Sequence, residues 1–467
     1  MDSTDLAFAG PSRQAELVRS GEVTSRELTE LYLERIERVD PHLNAYRATM
    51  PELALADADQ ADARRASGEE RPLLGVPVAV KDNTDVAGEL TTHGTGCFTE
   101  PATADSEVVR RLRDAGAVIL GKTNLPELAI IGATESPNWG VTRSPWDPER
   151  TTGGSSGGSG AAVAAGLCAA AHATDGAGSI RIPAANCGLV GMKPQRGRVS
   201  LMPDAHHWHG MSVAGALTRT VTDQALMLDV LSGPADGDAH TPPPPPRPFP
   251  EAAAQSPGKL RVALSFRPAF PVPIATEVRA AVSSLADVLR SLGHEVTEAE
   301  PAYNEFGTVV IPRYLKGIQH DVESVPQPHR LQRRTRGFAA MGRLLPQAAL
   351  DNALRDEARQ AGRINRIFDD HDLLLSPTTA KPPVGAAEWE GLSAPRTLLG
   401  MSLAYPFTSQ WNATGQPVLA IPAGFTAAGL PLGAQLIGRP DDEGTLLSLA
   451  AQVEAERPWA DRRPRVA

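Results

Sequence analysis

Two glycine-rich loops that each carry serine lie close together in this chain. The first is GGSSGGSG at residues 153–160, and the second is DGAGS at residues 175–179. Glycine serves where the backbone must take φ > 0 or approach another group closely. One Gly/Ser segment is typical of a flexible linker, but two that bracket an alanine-rich stretch are not. The pair predicts a site at which backbone N–H groups and hydroxyls face a substrate.

Strand and helix patterns alternate around these loops and predict an α/β fold. The β-branched run at residues 75–80 predicts a buried strand, and a helix and a second strand are predicted at 106–115 and 117–120. The small residues of 160–173 predict a helix between the two loops. Later apolar runs, including PVLAIPAGF and GAQLIG, predict further strands.

The chain divides into segments of different character. Residues 1–70 are predicted to be helical, residues 71–232 hold both glycine loops, and residues 233–257 form a proline-rich connection. Residues 258–467 complete the same α/β unit, and within them the helical region 300–370 is expected to shape the substrate entrance.

Composition excludes several classes of function. The net charge of -10 disfavours nucleic-acid and anionic-membrane partners, which need clustered Lys and Arg. No apolar run approaches the roughly 18 residues of a membrane-spanning helix, and the N-terminal segment lacks a signal-peptide pattern. We therefore expect a cytoplasmic enzyme with a small-molecule substrate, as a monomer or homodimer.

Cysteine and histidine patterns predict neither a metal nor another cofactor. The cysteines, an odd number without CxxC spacing, are Cys97, Cys168 and Cys187. Cys168 is assigned to the small-residue helix, where we expect it to be a buried packing residue. A second cluster consists of His206, His207 and His209. It lacks a further ligand at diagnostic spacing, so we interpret it as an exposed or pocket-lining loop of unassigned role.

Two further motifs match known sequence patterns but lack the structural context that those patterns require. Residues 116–123 fit GxxxxGK[ST], but the middle residues form the predicted strand instead of a phosphate-binding loop. Residues 153–158 fit GxSxG, but a polar, proline-broken segment precedes them where a nucleophile elbow needs a strand. An esterase with a Ser–His–acid triad remains an alternative.

Lys81 is the candidate base for a serine. It follows the strand at 75–80, where burial would lower the pKa of its amine and let the neutral form accept a proton. The competing interpretation is an ion pair with Asp82 or another acid. The local pattern alone favours that ion pair.

Taken together, these segments resemble the amidase signature family of serine hydrolases. The resemblance is carried by the lysine after GVPVAV, by GGSSGGSGAAVAAG and by DGAGSIRIPAANCGLVGMKP, and it continues in GKTNLPELAI, RGRVS and GLPLGAQLIGRP. It implies the fold of that family, a large twisted mixed β-sheet covered by helices on both faces, with residues 71–232 as the signature core. It covers residues 1–70 and 300–370 poorly.

The resemblance also implies a Ser–cis-Ser–Lys triad. Ser179 would be the nucleophile, Ser155 the bridging serine after a cis peptide bond, and Lys81 the base. The oxyanion hole would consist of the backbone N–H groups of Gly176, Ala177, Gly178 and Ser179. The family commonly has glycine where this chain has Ala177, which would be strained there if φ were positive.

Other residues are assigned supporting roles. Ser156 and Ser159 are expected to stabilise the first loop, and Asp175 and Arg181 the second. The segment that resembles the family's acyl pocket comprises Ile130, Ile131, Gly132, Ala133 and Thr134.

The implied activity is hydrolysis of a carbon–nitrogen acyl bond through an acyl-enzyme. An amide, anilide or carbamate with an apolar acyl side is expected as substrate, without a cofactor. A carboxylesterase and the glutamine-hydrolysing subunit of an amidotransferase complex are the alternatives.

Overall fold

A mixed sheet of eleven strands runs through the whole molecule. The computed structural model describes residues 2–303 and 307–467. The strands of these residues are β1 (Tyr46–Thr49), β2 (Pro77–Lys81), β3 (Val118–Thr123), β4 (Glu135–Ser136), β5 (Gly140–Val141), β6 (Ala170–Asp175), β7 (Val190–Lys193), β8 (Val213–Thr218), β9 (Arg261–Leu264), β10 (Glu295–Glu298), β11 (Leu373–Pro377), β12 (Val418–Phe425) and β13 (Pro431–Ile437). β4 and β5 form a separate hairpin.

Helices flank this sheet. They are α1 (Ser3–Phe8), α2 (Pro11–Ser20), α3 (Ser25–Leu43), α4 (Pro51–Ala66), α5 (Glu107–Asp114), α6 (Gly157–Ala164), α7 (Arg181–Cys187), α8 (His207–Gly210), α9 (Val221–Leu231), α10 (Phe249–Ala254), α11 (Thr276–Ser291), α12 (Gly307–Ser324), α13 (Arg333–Leu344), α14 (Gln347–Asn365), α15 (Ile367–Asp370), α16 (Ala394–Ala404), α17 (Ser409–Thr414) and α18 (Glu443–Glu456). None of those described is both long and apolar enough to cross a membrane.

The strand order joins the two halves of the chain. It is β1-β3-β2-β6-β8-β7-β12-β13-β11-β9-β10. β2 pairs in parallel with β3 and β6, whereas β7 and β12 pair antiparallel. Because β7 and β12 belong to opposite halves of the chain, neither half completes the sheet alone. The mixed α/β fold is confirmed.

Two sequence predictions of secondary structure are wrong. The helix expected over 160–173 ends at Ala164, and β6 begins at Ala170. Gly166, at φ 64°, lies in the turn between them, and the buried small residues that follow fit a central strand as well as a helix. Cys168 therefore lies in the connection, not in a helix. β1 lies within the segment expected to be helical and forms an antiparallel pair with β3.

Close packing explains the composition of α6. A Cβ atom at Gly158 would lie 2.4 Å from the backbone nitrogen of Asn124 and 2.5 Å from the carbonyl oxygen of Ala45. The helix can therefore approach the end of β3 only with glycine at this position. This contact places the serine loop before α6 beside the sheet.

Candidate active site

Neighbouring strand ends bring Lys81 to the first serine loop. β2 and β6 are parallel neighbours, so the ends that carry Lys81 and Thr174 meet at the same edge. The Lys81 amine lies 2.7 Å from Ser155 Oγ and 2.8 Å from Thr174 Oγ1. The side chains of Lys81 and Ser155 are both buried. The structure thus joins two of the residues singled out in the sequence.

The ion pair between Lys81 and Asp82 does not form. Asp82 instead receives hydrogen bonds from Arg47 at 3.0 Å and 3.1 Å and lies 3.4 Å from Lys122 Nζ. No carboxylate among the described residues is paired with Lys81. Burial lowers the pKa of Lys81 to about 7, against a smaller opposing effect of Asp175. An amine with this pKa is about half neutral at pH 7 and mostly neutral at about pH 8.

The first loop holds its serines in different environments. The peptide bond between Gly154 and Ser155 is cis, as the resemblance implies. Ser156 Oγ donates to the carbonyl oxygen of Thr174 at 3.1 Å and accepts from its N–H at 3.3 Å. Ser159 Oγ donates to the carbonyl oxygen of His172 at 2.9 Å. Ser156 and Ser159 therefore attach the loop to β6.

Ser179 lies beside this loop and is partly exposed. Its carbonyl oxygen accepts a hydrogen bond from the N–H of Ser156 at 3.3 Å, which connects the two serine loops. Its hydroxyl makes no hydrogen bond with any described residue and is therefore available to a substrate.

A buried ion pair fixes the second loop. Arg181 donates two hydrogen bonds to Asp175, each at 3.0 Å, and both side chains are fully buried. Arg181 also donates to Thr408 and Asn412, near α17, at 2.9 Å and 2.6 Å. A bidentate Arg–carboxylate pair adds geometric specificity to its strength. The arginine holds the pKa of Asp175 below its usual range.

The expected set of oxyanion donors needs one correction. The N–H of Gly178 donates to Asp175 Oδ1 at 2.6 Å and is therefore already used. The N–H groups of Gly176, Ala177 and Ser179 have no acceptor among the described residues. Ala177 has a negative φ, whereas φ at Gly178 is 129°. The alanine is thus unstrained, and the unusual backbone conformation falls on a glycine.

An apolar cavity of about 210 Å³ opens on Ser179. Ile130, Ile131 and Gly132 line it, as does Tyr314 of α12. Ala133 and Thr134 do not line this cavity: Ala133 packs near Trp389 and Ala404, and Thr134 Oγ1 donates to the carbonyl oxygen of Gly153 at 3.0 Å. Only the first three residues of the expected acyl-pocket segment form the wall.

A polar cavity of about 240 Å³ opens on Ser155. Thr174, Gly176 and His207 belong to its lining. Trp208 and Ala129 line both cavities and so lie between them. Asp321 of α12 accepts a hydrogen bond from Trp208 Nε1 at 2.7 Å. The wall between the cavities is therefore anchored to the helical region.

His207 belongs to a hydrogen-bonded chain at this wall. Its Nδ1 lies 2.6 Å from Ser212 Oγ, and its Nε2 lies 3.5 Å from Asp321 Oδ2. Although burial opposes it, Asp321 raises the pKa of His207. Within residues 2–303 and 307–467, no three His, Cys, Asp or Glu side chains are placed to hold a metal ion. His206 and His209 therefore join no such group there. The three cysteines are buried and free.

Several residues of the site were missed from the sequence. Thr174, Trp208, Thr408 and Asn412 contact the serine loops or form the wall between the cavities. Had β6 been predicted as a strand, Thr174 would have been placed on the same face as His172, because strand residues two apart share a face. Thr408 and Asn412 reach the site from the other half of the chain, and no local signal marks them.

Comparison with known proteins defines the class and then the family. The family model described as "Amidase" matches residues 27–447. A Mycobacterium tuberculosis protein named "Putative amidase AmiB2" is 47% identical over 469 residues, covering 100% of both chains. The 6-aminohexanoate-cyclic-dimer hydrolase of Paenarthrobacter ureafaciens is 36% identical over 499 residues, covering 100% of this chain and 98% of that protein.

A solved structure of a 6-aminohexanoate cyclic dimer hydrolase with substrate superposes with a TM-score of 0.90 at 32% identity, covering 98% and 99% of the two chains. These matches identify a hydrolase that acts on carbon–nitrogen amide bonds. More narrowly, the chain belongs to the amidase signature family.

Proposed function

We propose that this amidohydrolase cleaves amides with an apolar acyl group through a Ser179–Ser155–Lys81 relay. One observation carries the proposal. Lys81 is fully buried, no carboxylate of residues 2–303 and 307–467 pairs with it, and its amine contacts the hydroxyl of Ser155. A neutral amine in this position can accept a proton, which a lysine in an ion pair cannot.

The proposed reaction begins with attack of Ser179 Oγ on the substrate carbonyl carbon. The proton of Ser179 passes to Ser155 Oγ as the proton of Ser155 passes to Lys81 Nζ. The oxyanion is stabilised by the free N–H groups of the second loop. Lys81 then returns its proton through Ser155 to the leaving nitrogen, and the carbon–nitrogen bond breaks. Water, deprotonated by the same relay, attacks the acyl-enzyme and releases the acid.

The apolar cavity supports an apolar acyl group, because it opens on the proposed nucleophile and is lined mainly by aliphatic and aromatic side chains. One experiment tests amides, anilides and carbamates together. A panel of p-nitroanilides, aliphatic amides, esters and aryl carbamates should give turnover with hexanoyl compounds. Ser179→Ala should lower kcat by at least about 10³-fold; full activity in this variant would overturn the proposal.

An esterase that uses a histidine is the second candidate, because Ser212, His207 and Asp321 form a Ser–His–Asp chain. Ser212 is almost fully buried, and the free backbone donors lie at Ser179 instead. Ser212→Ala is therefore the matched serine variant. Loss of ester turnover in Ser212→Ala but not in Ser179→Ala would favour the histidine mechanism.

Acyl transfer to hydroxylamine by the purified chain separates an independent enzyme from an amidotransferase subunit. We expect hydroxamate formation without any partner protein. Activity that requires a second chain would favour the subunit.

A further inference from the structure

The two cavities beside the serine loops differ in the charged residues that line them. The described residues that line the apolar cavity include no Asp, Glu, Lys or Arg. Those that line the polar cavity include two carboxylates, Asp85 and Asp204, but no Lys or Arg. A positive group would therefore be accepted on one side of Trp208 only.

The two carboxylates have no ion-pair partner within residues 2–303 and 307–467, although both act on nearby groups. Asp204 is exposed and acts on the nearby His207, and Asp85 acts on His93 and Lys122. Neither Asp85 nor Asp204 makes a side-chain hydrogen bond or an ion pair with a described residue. The other nearby carboxylates are paired: Asp82 with Arg47, Asp175 with Arg181, and Asp321 with His207. His207 lines the same cavity and has a raised pKa, but it pairs with Asp321. With Lys81 mostly neutral at about pH 8, Asp85 and Asp204 leave the cavity with a negative balance.

His172 provides an independent indication that this cavity holds a polar ligand. The side chain is 1% exposed and lines the cavity, yet neither ring nitrogen has a partner among the described residues. His172 shares the face of β6 with Thr174, two residues further along. Burial lowers the pKa of His172 to about 3, so the neutral ring offers one donor and one acceptor. Buried polar groups normally have such partners.

The proposed relay assigns the two halves of the substrate to the two cavities. Ser179, which would carry the acyl group, lines the apolar cavity. Ser155, which would return the proton to the leaving nitrogen, lines the polar cavity. The amine half of the substrate therefore lies on the side of Asp85, Asp204 and His172.

We infer that the polar cavity selects amides whose amine half carries a second, positively charged nitrogen, as in a monoacylated diamine. This inference rests on the proposed function and specifies its substrate class. The carboxylates attract the ammonium group, and His172 supplies a hydrogen-bonding partner at the buried wall. An amine half that carries a carboxylate is repelled.

The test uses one acyl group with different amine halves. N-(2-aminoethyl)hexanamide, N-(2-hydroxyethyl)hexanamide and N-hexanoylglycine are compared at about pH 8, where an alkylammonium group remains charged. We expect kcat/KM to be about threefold to tenfold higher for the aminoethyl than for the hydroxyethyl compound. N-hexanoylglycine should be the poorest substrate.

Variants that remove one charge show which carboxylate produces the preference for the aminoethyl compound. Asp85→Asn and Asp204→Asn should each lower the aminoethyl-to-hydroxyethyl ratio of kcat/KM by about threefold. Asp236→Asn is the matched control, because it removes an exposed carboxylate that does not line the cavity, and it should retain the ratio. The wild type should hydrolyse the hydroxyethyl compound with a higher kcat/KM than N-propylhexanamide, because His172 offers the hydroxyl a hydrogen-bonding partner. His172→Leu should lower that ratio.

The failures of the two proposals are distinguishable. Ser179-dependent hydrolysis of the hydroxyethyl compound, without preference for the aminoethyl compound, would overturn the inference and leave the proposed function intact. If none of the compounds is hydrolysed, the proposed function fails. Calorimetric binding of the aminoethyl and hydroxyethyl compounds to the wild type and to Asp204→Asn then decides the inference, and equal affinities would refute it.

Discussion

Burial is the main cause of the chemistry proposed for Lys81. A solvated lysine is protonated at neutral pH, and the apolar strand before Lys81 removes the water that stabilises its charge. Thr174 and Ser155 provide oxygen partners without supplying a negative charge. Lys122, on the next strand, is also buried but lies beside Asp82. Lys122 lies beside a carboxylate, whereas the described partners of Lys81 are neutral hydroxyls. Of the two, only Lys81 contacts a serine of the candidate site.

We expect kcat/KM to rise with pH through a single ionisation near pH 7. The pKa of Lys81 is lowered to about 7 and only its neutral form accepts a proton, so activity is lost as pH falls through that value. The measurement is a pH–rate profile for hexanamide hydrolysis. Lys81→Met should remove the activity, whereas Thr174→Val should move the midpoint to lower pH by removing an acceptor of the ammonium form. A profile that is flat from pH 5 to pH 9 would contradict this role.

Adjacent residues of the second loop should differ in how much activity they lose when glycine and alanine are exchanged. Gly178→Ala should abolish most activity, because φ is 129° and the new Cβ would lie 2.6 Å from Thr408 Oγ1. Ala177→Gly keeps every backbone N–H and should cost about 0.4–1 kcal/mol of unfolding free energy with a much smaller loss of activity. Initial rates and thermal melts of both variants check the pair. Equal losses would show that the loop conformation at residue 178 is unimportant.

At the scale of elements, α12 connects the helical region to the site. Tyr314 Oη donates to the carbonyl oxygen of Ile130, and Asp321 holds the Trp208 ring. The helix thus supports the wall of each cavity. Through these two contacts α12, which lies within the span that the family model matches, supports the walls that shape both cavities.

Tyr314→Phe should raise KM for hexanamides and leave the pH midpoint unchanged. The lost hydrogen bond is worth about 1 kcal/mol and positions the cavity wall at Ile130. Tyr314 makes no hydrogen bond to Lys81 or Ser155, whose contact sets the pH midpoint. Tyr32→Phe is the matched control, since it removes a buried hydroxyl that donates to the carbonyl oxygen of Ala7 at 3.0 Å. Both variants should lose similar stability in denaturant titrations. A rise in KM in both would mean a general loosening of the fold.

The errors of secondary-structure prediction also belong to this scale. Alanine-rich sequence lacks the β-branched residues that mark a strand, so β6 was assigned to the helix before it. Its strand geometry is set by its neighbours β2 and β8. The strands with β-branched or proline-bounded sequence, such as β2 and β12, were predicted close to their observed limits.

At the scale of the molecule, the central sheet unites the two halves of the chain. The proline-rich connection is largely exposed, and α10, at its end, packs on α18. A break in the connection removes no strand pairing. The sheet therefore provides the continuity that the linker does not.

Co-expressed fragments 1–244 and 245–467 should form an active complex. The cut between residues 244 and 245 breaks neither the pairing of β7 with β12 nor the packing of α10 on α18. It lowers stability only through the entropy lost when two separate chains associate. Size-exclusion chromatography and hexanamide turnover test this expectation. Each fragment alone should be unfolded by circular dichroism; a folded and active N-terminal fragment would refute the shared-sheet argument.

Local signals in the sequence were sufficient for the family and for the positions of Lys81 and the serine loops. They could not show that Asp82 is paired with Arg47, that Gly178 donates its N–H to Asp175, or that Trp208 divides two cavities. Each of these depends on contacts between distant segments. The two cavities depend in addition on α12, which supports their walls and contains none of the sequence motifs that carry the resemblance.

The clamp around Arg181 has a consequence for how the protein is made. Every residue of the proposed relay lies in the first part of the chain to leave the ribosome. The residues that hold the second loop, Thr408 and Asn412, are synthesised more than two hundred positions later. A nascent chain therefore carries both serines and the lysine well before that loop can be held in place. The order of synthesis delays completion of the site until the molecule is nearly whole.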